Sequence, residues 1–363
     1  MHVNAQSARI PVDLVTGFLG SGKTTLINAV LREPSFAGSL VIVNEFGEVG
    51  IDQQLFAQAT DDVVLLDSGC LCCAASGSLK DTLIDLVLRR AKGTVPMFSR
   101  VIVETSGLAN PAPLVGTLLG ESAVNTRFAL RQVLTLIDAM HGRETLTRYR
   151  EARHQAALAD RLLITKAQLV DEATLCATVD AARALNPHAD IERRAVHAPA
   201  APHFATGAAR TRAGDVFTRR PESLLRGPLQ PQYANDDATP DEAASTHHDA
   251  GFTRIRSHVV RLHAPLEWDA YARFTALAQQ RFGQRLLRCK GLVAIGERDA
   301  MWVVQGVQGY FARPQRQADA VDAAASGDAD TPCGVLVCIA EDVSHGDMEA
   351  VLTTLADARA ELM

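Results

Sequence analysis

The chain has 363 residues, with 36 Lys plus Arg against 42 Asp plus Glu, a net charge of −6, and 47% hydrophobic and 21% charged residues. This is the composition of a globular protein long enough for two ordinary domains. The acidic balance argues against nucleic-acid binding, which draws on a basic surface, and no apolar run nears the ~20 residues of a membrane helix.

The first residues lack the basic end, apolar core and cleavage site of a secretory signal. A cytoplasmic location with reduced thiols is therefore expected.

From residue 10 to about 196, apolar strand candidates alternate with helices. The strands are Val12–Thr16, Leu40–Asn44, Val63–Asp67, Val101–Glu104, Val133–Asp138 and Arg161–Thr165; the helices include Lys23–Leu31 and Ser78–Ala91. Alternation of this kind predicts an α/β fold with a doubly wound, mostly parallel sheet over residues 1–196. Residues 197–250 turn to Ala, Pro, Asp and Thr, the texture of a flexible linker with one short helix inside it. Residues 251–363 return to order as a small α+β domain. Its elements are a strand at 253–263, a helix at 266–283, strands at 286–296 and 300–307, a strand at 334–340 and a final helix at 347–363.

GFLGSGKT, Gly17 to Thr24, matches G-x-x-x-x-G-K-[ST] between a strand and a helix. Such a P-loop wraps phosphate oxygens in backbone N–H groups. The predicted nucleotide contacts are Gly17, Gly20, Ser21, Gly22, Lys23, Thr24 and Thr25, with Lys23 on the β- and γ-phosphates and the Thr24 hydroxyl on Mg²⁺. VIVETSG ends a buried strand in Glu104, whose carboxylate at a C-terminal strand edge faces the ligand crevice and suits Mg²⁺ or its water shell; Gly107 lets the backbone approach a γ-phosphate. The competing reading of Glu104 is an exposed strand-end acid. NEFGEVGID, with Glu48, is either a loop that senses the γ-phosphate or a polar turn.

Three of the seven cysteines, Cys70, Cys72 and Cys73, fall within SGCLCC. Thiolates are soft ligands that suit Zn²⁺ and, less selectively, Co²⁺ or Cu⁺. No second Cys or His pair follows nearby, so the local set stops at three and leaves room for a further ligand. Glu48 and His141 are weaker candidates for it. Cysteines packed without metal, or a regulatory disulfide that would strain the adjacent pair Cys72–Cys73, are the alternatives.

GFLGSGKTTLIN, NEFGEVGID, SGCLCC, ETSGLANP, LTLIDA and LLITK, followed by LLRCKGLVAI and VVQGVQ, together resemble the CobW-like metallochaperone GTPases. These are relatives of the P-loop GTPases that insert nickel into urease and hydrogenase. The resemblance implies GTP hydrolysis with Mg²⁺, a transition metal held at C-x-C-C, and a client apo-metalloprotein that receives it; a homo-oligomer is also possible. The family's guanine-reading element is [NST]-K-x-D, and the matching positions here are Thr165, Lys166, Ala167 and Gln168. Gln168 in place of aspartate puts base specificity in question. The linker offers His203, His247 and His248 rather than a dense histidine tract. Two other functions compete: a P-loop small-molecule kinase with a structural zinc, which would need a lid segment, and a nucleotide-gated metal sensor without turnover.

Overall fold

The structure is a computed structural model describing residues 9–44, 65–67, 78–195, 198–204, 254–298, 300–317, 333–352, 354–355 and 360–362. Cys70, Cys72, Cys73 and Glu48 lie outside the described residues, as do His247 and His248.

The N-terminal part runs β1 (Ile10–Gly17), α1 (Lys23–Leu31), β2 (Ser39–Asn44), β3 (Leu65–Asp67), α2 (Ser78–Ala91), β4 (Arg100–Thr105), α3 (Ala112–Gly120), α4 (Ser122–Asn125), β5 (Phe128–Asp138), α5 (Gly142–Arg148), α6 (Arg150–Leu158), β6 (Arg161–Thr165), α7 (Glu172–Leu185) and β7 (Asp190–Arg193). Its strands form one parallel sheet in the order β3-β2-β4-β1-β5-β6-β7. The apolar runs are buried on both faces, as parallel strands covered by helices must be. Alternate residues feed different cores: Val12, Leu14, Val101 and Val103 join Leu83 and Leu86 of α2. Val15, Val41 and Ile102 join Leu26, Ile27 and Val30 of α1. This is the doubly wound architecture that the alternation predicted.

β7 was not foreseen. The sequence also assigned residues 197–204 to the linker, yet α8 (Ala201–Phe204) packs on the sheet, with Phe204 fully buried edge-on to Phe36. The Glu33 carboxylate accepts from the N–H groups of Ala200 and Ala201, at 2.5 and 2.9 Å. His203 is buried against Glu192, its Nδ1 2.9 Å from the carboxylate, and so is no part of a linker metal store.

The C-terminal part contains β8 (Ile255–Leu262), α9 (Trp268–Phe282), β9 (Leu286–Ala294), β10 (Met301–Val307), β11 (Tyr310–Phe311), β12 (Gln315–Arg316), β13 (Gly334–Glu341), α10 (His345–Leu352) and β14 (Ala360–Leu362). The antiparallel sheet runs β11-β10-β9-β13-β8-β14, with β12 on β10. Phe274, Phe282 and Val351 from the two helices share one core with Val260, Val293 and Leu336. The sequence predicted a helix over 347–363; instead α10 ends at Leu352, and Ala360–Leu362 pairs with Val260–Leu262 of β8. The ladder bonds of β8's open edge outweigh helix propensity there. Of the four cysteines outside the cluster, Cys289, Cys333 and Cys338 are buried and Cys176 is exposed. No described helix is long and apolar enough to cross a membrane.

The two parts share an interface. Val307 and Ala312 enter the core beside α3, and the Tyr310 hydroxyl donates to the Gly120 carbonyl at 3.2 Å. Asp160, before β6, takes Arg288 at 2.8 Å and Lys290 at 2.7 Å, both from β9.

Candidate nucleotide site

Parallel strands gather their C-terminal ends at one edge, where open α/β sheets bind ligands. Here β1 delivers Gly17, β4 delivers Glu104, β5 delivers Asp138 and β6 delivers Thr165. Gly17 is obligatory in this packing: a Cβ would lie 2.4 Å from the Leu136 carbonyl oxygen and 2.7 Å from the Ser21 hydroxyl. Gly20 and Gly22 hold left-handed φ of 70° and 94°. Helix α1 starts straight from Gly22 with no side-chain cap and no acid in its first turn. Its N–H groups and positive dipole end are thus left for an anion.

Lys23 is buried and donates from Nζ to the carbonyls of Gly17 at 2.9 Å and Phe18 at 3.3 Å. Thr24 donates from Oγ1 to Oε1 of the buried Glu104 at 2.7 Å. Glu104 is therefore an interior acid joined to the P-loop rather than an exposed strand end. A hydroxyl and a carboxylate in contact form the hard-oxygen pair that Mg²⁺ favours, so these residues fit that ion. Ser21 is buried, whereas Thr25 is exposed on α1.

Gly107 follows in the loop after β4, where a Cβ would stand 2.7 Å from Leu19 N and 2.8 Å from Leu19 Cα. The two loops are thus in backbone contact. Sequence reading missed what holds the second one. Gln155 of α6, 1% exposed, donates from Nε2 to the carbonyls of Gly107 at 3.1 Å and Ala109 at 3.0 Å. No sequence signal marks it, because its partners are backbone carbonyls; its burial, which an interior tolerates only in polar groups with partners, emerges only from the fold.

The third segment is tied in by Thr165, whose Oγ1 donates to the Ser21 carbonyl at 2.8 Å. Lys166 adopts left-handed φ 57° and pairs with Asp138 at 2.5 Å. Gln168 is exposed on the short turn Ala167–Leu169. The nearest downstream acid, Asp171, is already engaged as the N-cap of α7, accepting from Thr174 N at 2.8 Å. His141 is exposed at the start of α5, and no group of three or more His, Cys, Asp or Glu among the described residues is arranged to hold a metal.

A family model of the CobW/HypB/UreG nucleotide-binding domain matches residues 11–193, and one of the cobalamin synthesis protein cobW C-terminal domain matches residues 255–356. The zinc chaperone YjiA of Escherichia coli K12 is 40% identical over 164 residues, 45% of this chain and 51% of its own length. The zinc-regulated GTPase metalloprotein activator 1 of Schizosaccharomyces pombe is 30% identical over 175 residues, 46% of this chain and 41% of its own length. In these alignments the chain spans about half, or less, of the curated relatives' length. The Zn(II)-bound YjiA GTPase from E. coli superposes with a TM-score of 0.61 and 26% identity, covering 96% of this chain and 99% of that one.

Proposed function

The chain belongs to the CobW/HypB/UreG family, and on that premise we propose that it is a GTP-hydrolysing metallochaperone that carries zinc at Cys70, Cys72 and Cys73 to a client apo-metalloprotein. The observation that carries the nucleotide half is the contact of Thr24 with Glu104 beside the P-loop. Gly17, Gly20, Ser21, Gly22 and Thr25 shape the phosphate cradle, and Lys23 exchanges its loop carbonyls for β- and γ-phosphate oxygens. Thr24 and Glu104 would hold Mg²⁺, and the ion would supply countercharge to the phosphates. The Gly107 loop positions the γ-phosphate while water attacks phosphorus and the bond to the β–γ bridging oxygen breaks, giving GDP and phosphate.

The metal half rests on donor chemistry and connectivity. The cysteines follow Asp67 by three, five and six residues, and Asp67 ends β3 at the same sheet edge as the nucleotide site. The names of the relatives favour zinc over Co²⁺. The expected result is one zinc per chain, with affinity falling as pH falls because protons compete for thiolate. Cys72→Ser with Cys73→Ser should lose that ion, measured by elemental analysis after dialysis, without unfolding the chain, since the first sheet has its own core. Full zinc content in the double variant would refute the assignment.

Thr165, Lys166 and Gln168 line the base side. An aspartate at 168 would accept from guanine N1–H and the 2-amino group, whereas glutamine faces that amino group with its own NH₂. Two facing donors cost roughly 1–3 kcal/mol. The chain should therefore discriminate poorly against ATP and tolerate XTP, and Gln168→Asp should create a guanine preference. Competition among GTP, ATP and XTP on both proteins checks this. A strong wild-type GTP preference left unchanged by Gln168→Asp would assign base reading to another segment.

A further inference from the structure

We propose that α6 is a lever joining the γ-phosphate loop to the C-terminal domain, with Gln155 as the positioning residue at one end and Glu341 as the anchor at the other. The inference deepens the nucleotide reading above and rests on it for its functional arm.

On the nucleotide side, one amide serves two loop carbonyls, those of Gly107 and Ala109. The loop has little freedom to move independently, since Gly107 abuts the backbone of Leu19. The Gln155 carbonyl in turn accepts from Thr135 Oγ1 of β5 at 2.8 Å, seating the helix on the sheet. Just before the helix, the Tyr149 ring meets Phe18 of the P-loop with centroids 4.5 Å apart. Both phosphate loops therefore touch this one element.

The other stripe of α6 faces the C-terminal domain. Residues 150, 154 and 157 share a face by helical spacing. Arg150 grips the carboxylate of Glu341 at 3.2 and 2.7 Å, and His154 Nε2 lies 3.1 Å from it. Ala157 packs with Leu287, Val337 and Ile339. Glu341 is 3% exposed and closes β13, the strand at the middle of the C-terminal sheet. His154 and Gln155 are consecutive, so the two contacts leave different faces of the same helical turn, and a shift of that turn moves both. Docking of the C-terminal domain thereby sets how firmly the γ-phosphate loop is held.

The test is hydrogen exchange on the full nucleotide-free chain, combined with nucleotide binding. Gln155→Ala removes both bonds to the loop and should speed exchange across residues 105–110 by about tenfold or more. Glu341→Gln, which reaches the loop only through α6, should speed exchange in the same peptide by a smaller factor. Peptides from β1 and β8 should exchange as in wild type. Arg150→Met, at a mostly exposed side chain, is the second variant should Glu341→Gln fail to fold, and the same change is expected. In the nucleotide arm, Gln155→Ala should weaken a non-hydrolysable GTP analogue about tenfold and leave GDP affinity unchanged.

Unchanged exchange at 105–110 in Gln155→Ala overturns the positioning role. A change there in Gln155→Ala but in neither Glu341→Gln nor Arg150→Met overturns the lever. If the wild type binds neither nucleotide, the nucleotide reading fails, while the exchange measurements still decide the linkage.

Discussion

Lys23→Ala should lower GTP hydrolysis by about 10²- to 10³-fold, the loss that follows removal of one preorganised charge-stabilising donor. The buried ammonium is held between two loop carbonyls, at 2.9 and 3.3 Å, at the mouth of the phosphate cradle. Those carbonyls are weak partners for a full charge compared with β- and γ-phosphate oxygens, so its favourable interactions grow when nucleotide enters. The same change should weaken triphosphate binding more than diphosphate binding, because only the former offers the γ-oxygens. Folding stability should move by no more than about 1 kcal/mol, as two modest bonds are lost together with a buried charge. Phosphate release under single-turnover conditions, with a thermal melt as control, reads both. Near wild-type turnover in a folded variant would remove Lys23 from the catalytic set.

Asp160→Ala should destabilise the chain by about 3–5 kcal/mol, the cost of stranding one side of a buried ion pair. Burial would raise this carboxyl, but the charges of Arg288 and Lys290, the Lys290 hydrogen bond and the Val133 N–H outweigh it and hold the group at about 2. A folded value below the unfolded one stabilises the folded state above the ordinary aspartate range. That stability, on the order of 2–3 kcal/mol, is fully present above about pH 4 and is lost as pH falls towards 2. The acid limb of the unfolding profile should therefore be steeper in wild type than in Asp160→Ala. Denaturant midpoints at pH 7 and pH 3 measure it: the variant should lose most at pH 7 and differ less at pH 3. Equal losses at both pH values would show that packing rather than charge holds this contact.

The first sheet was legible because its strands are apolar runs buried on both faces, and the glycines of the P-loop mark a turn that few other functions require. Glu104 could be placed from its position at a strand end, and its contact with Thr24 follows from β4 lying beside β1. β7 escaped notice because DIER at a sheet edge carries a single apolar residue. β14 was hidden because its residues continue the helical pattern of α10, and only the unpaired edge of β8 recruits them. Gln155 was invisible for another reason. Its partners are backbone carbonyls nearly fifty positions away, and no residue type announces a carbonyl. The same holds for Asp160, whose cations lie on a strand of the other domain.

Asp67 ends β3 at the nucleotide edge of the sheet, three residues before Cys70, so zinc held by the cysteines is expected to respond to the nucleotide. A zinc titration against a chromophoric chelator tests the metallochaperone reading most directly. The full chain is titrated once with a non-hydrolysable GTP analogue and Mg²⁺ and once with GDP and Mg²⁺. The predicted result is one zinc per chain in both, with affinities differing by about tenfold or more, the size of an ordinary coupling free energy. Identical zinc affinities in the two nucleotide states would contradict it.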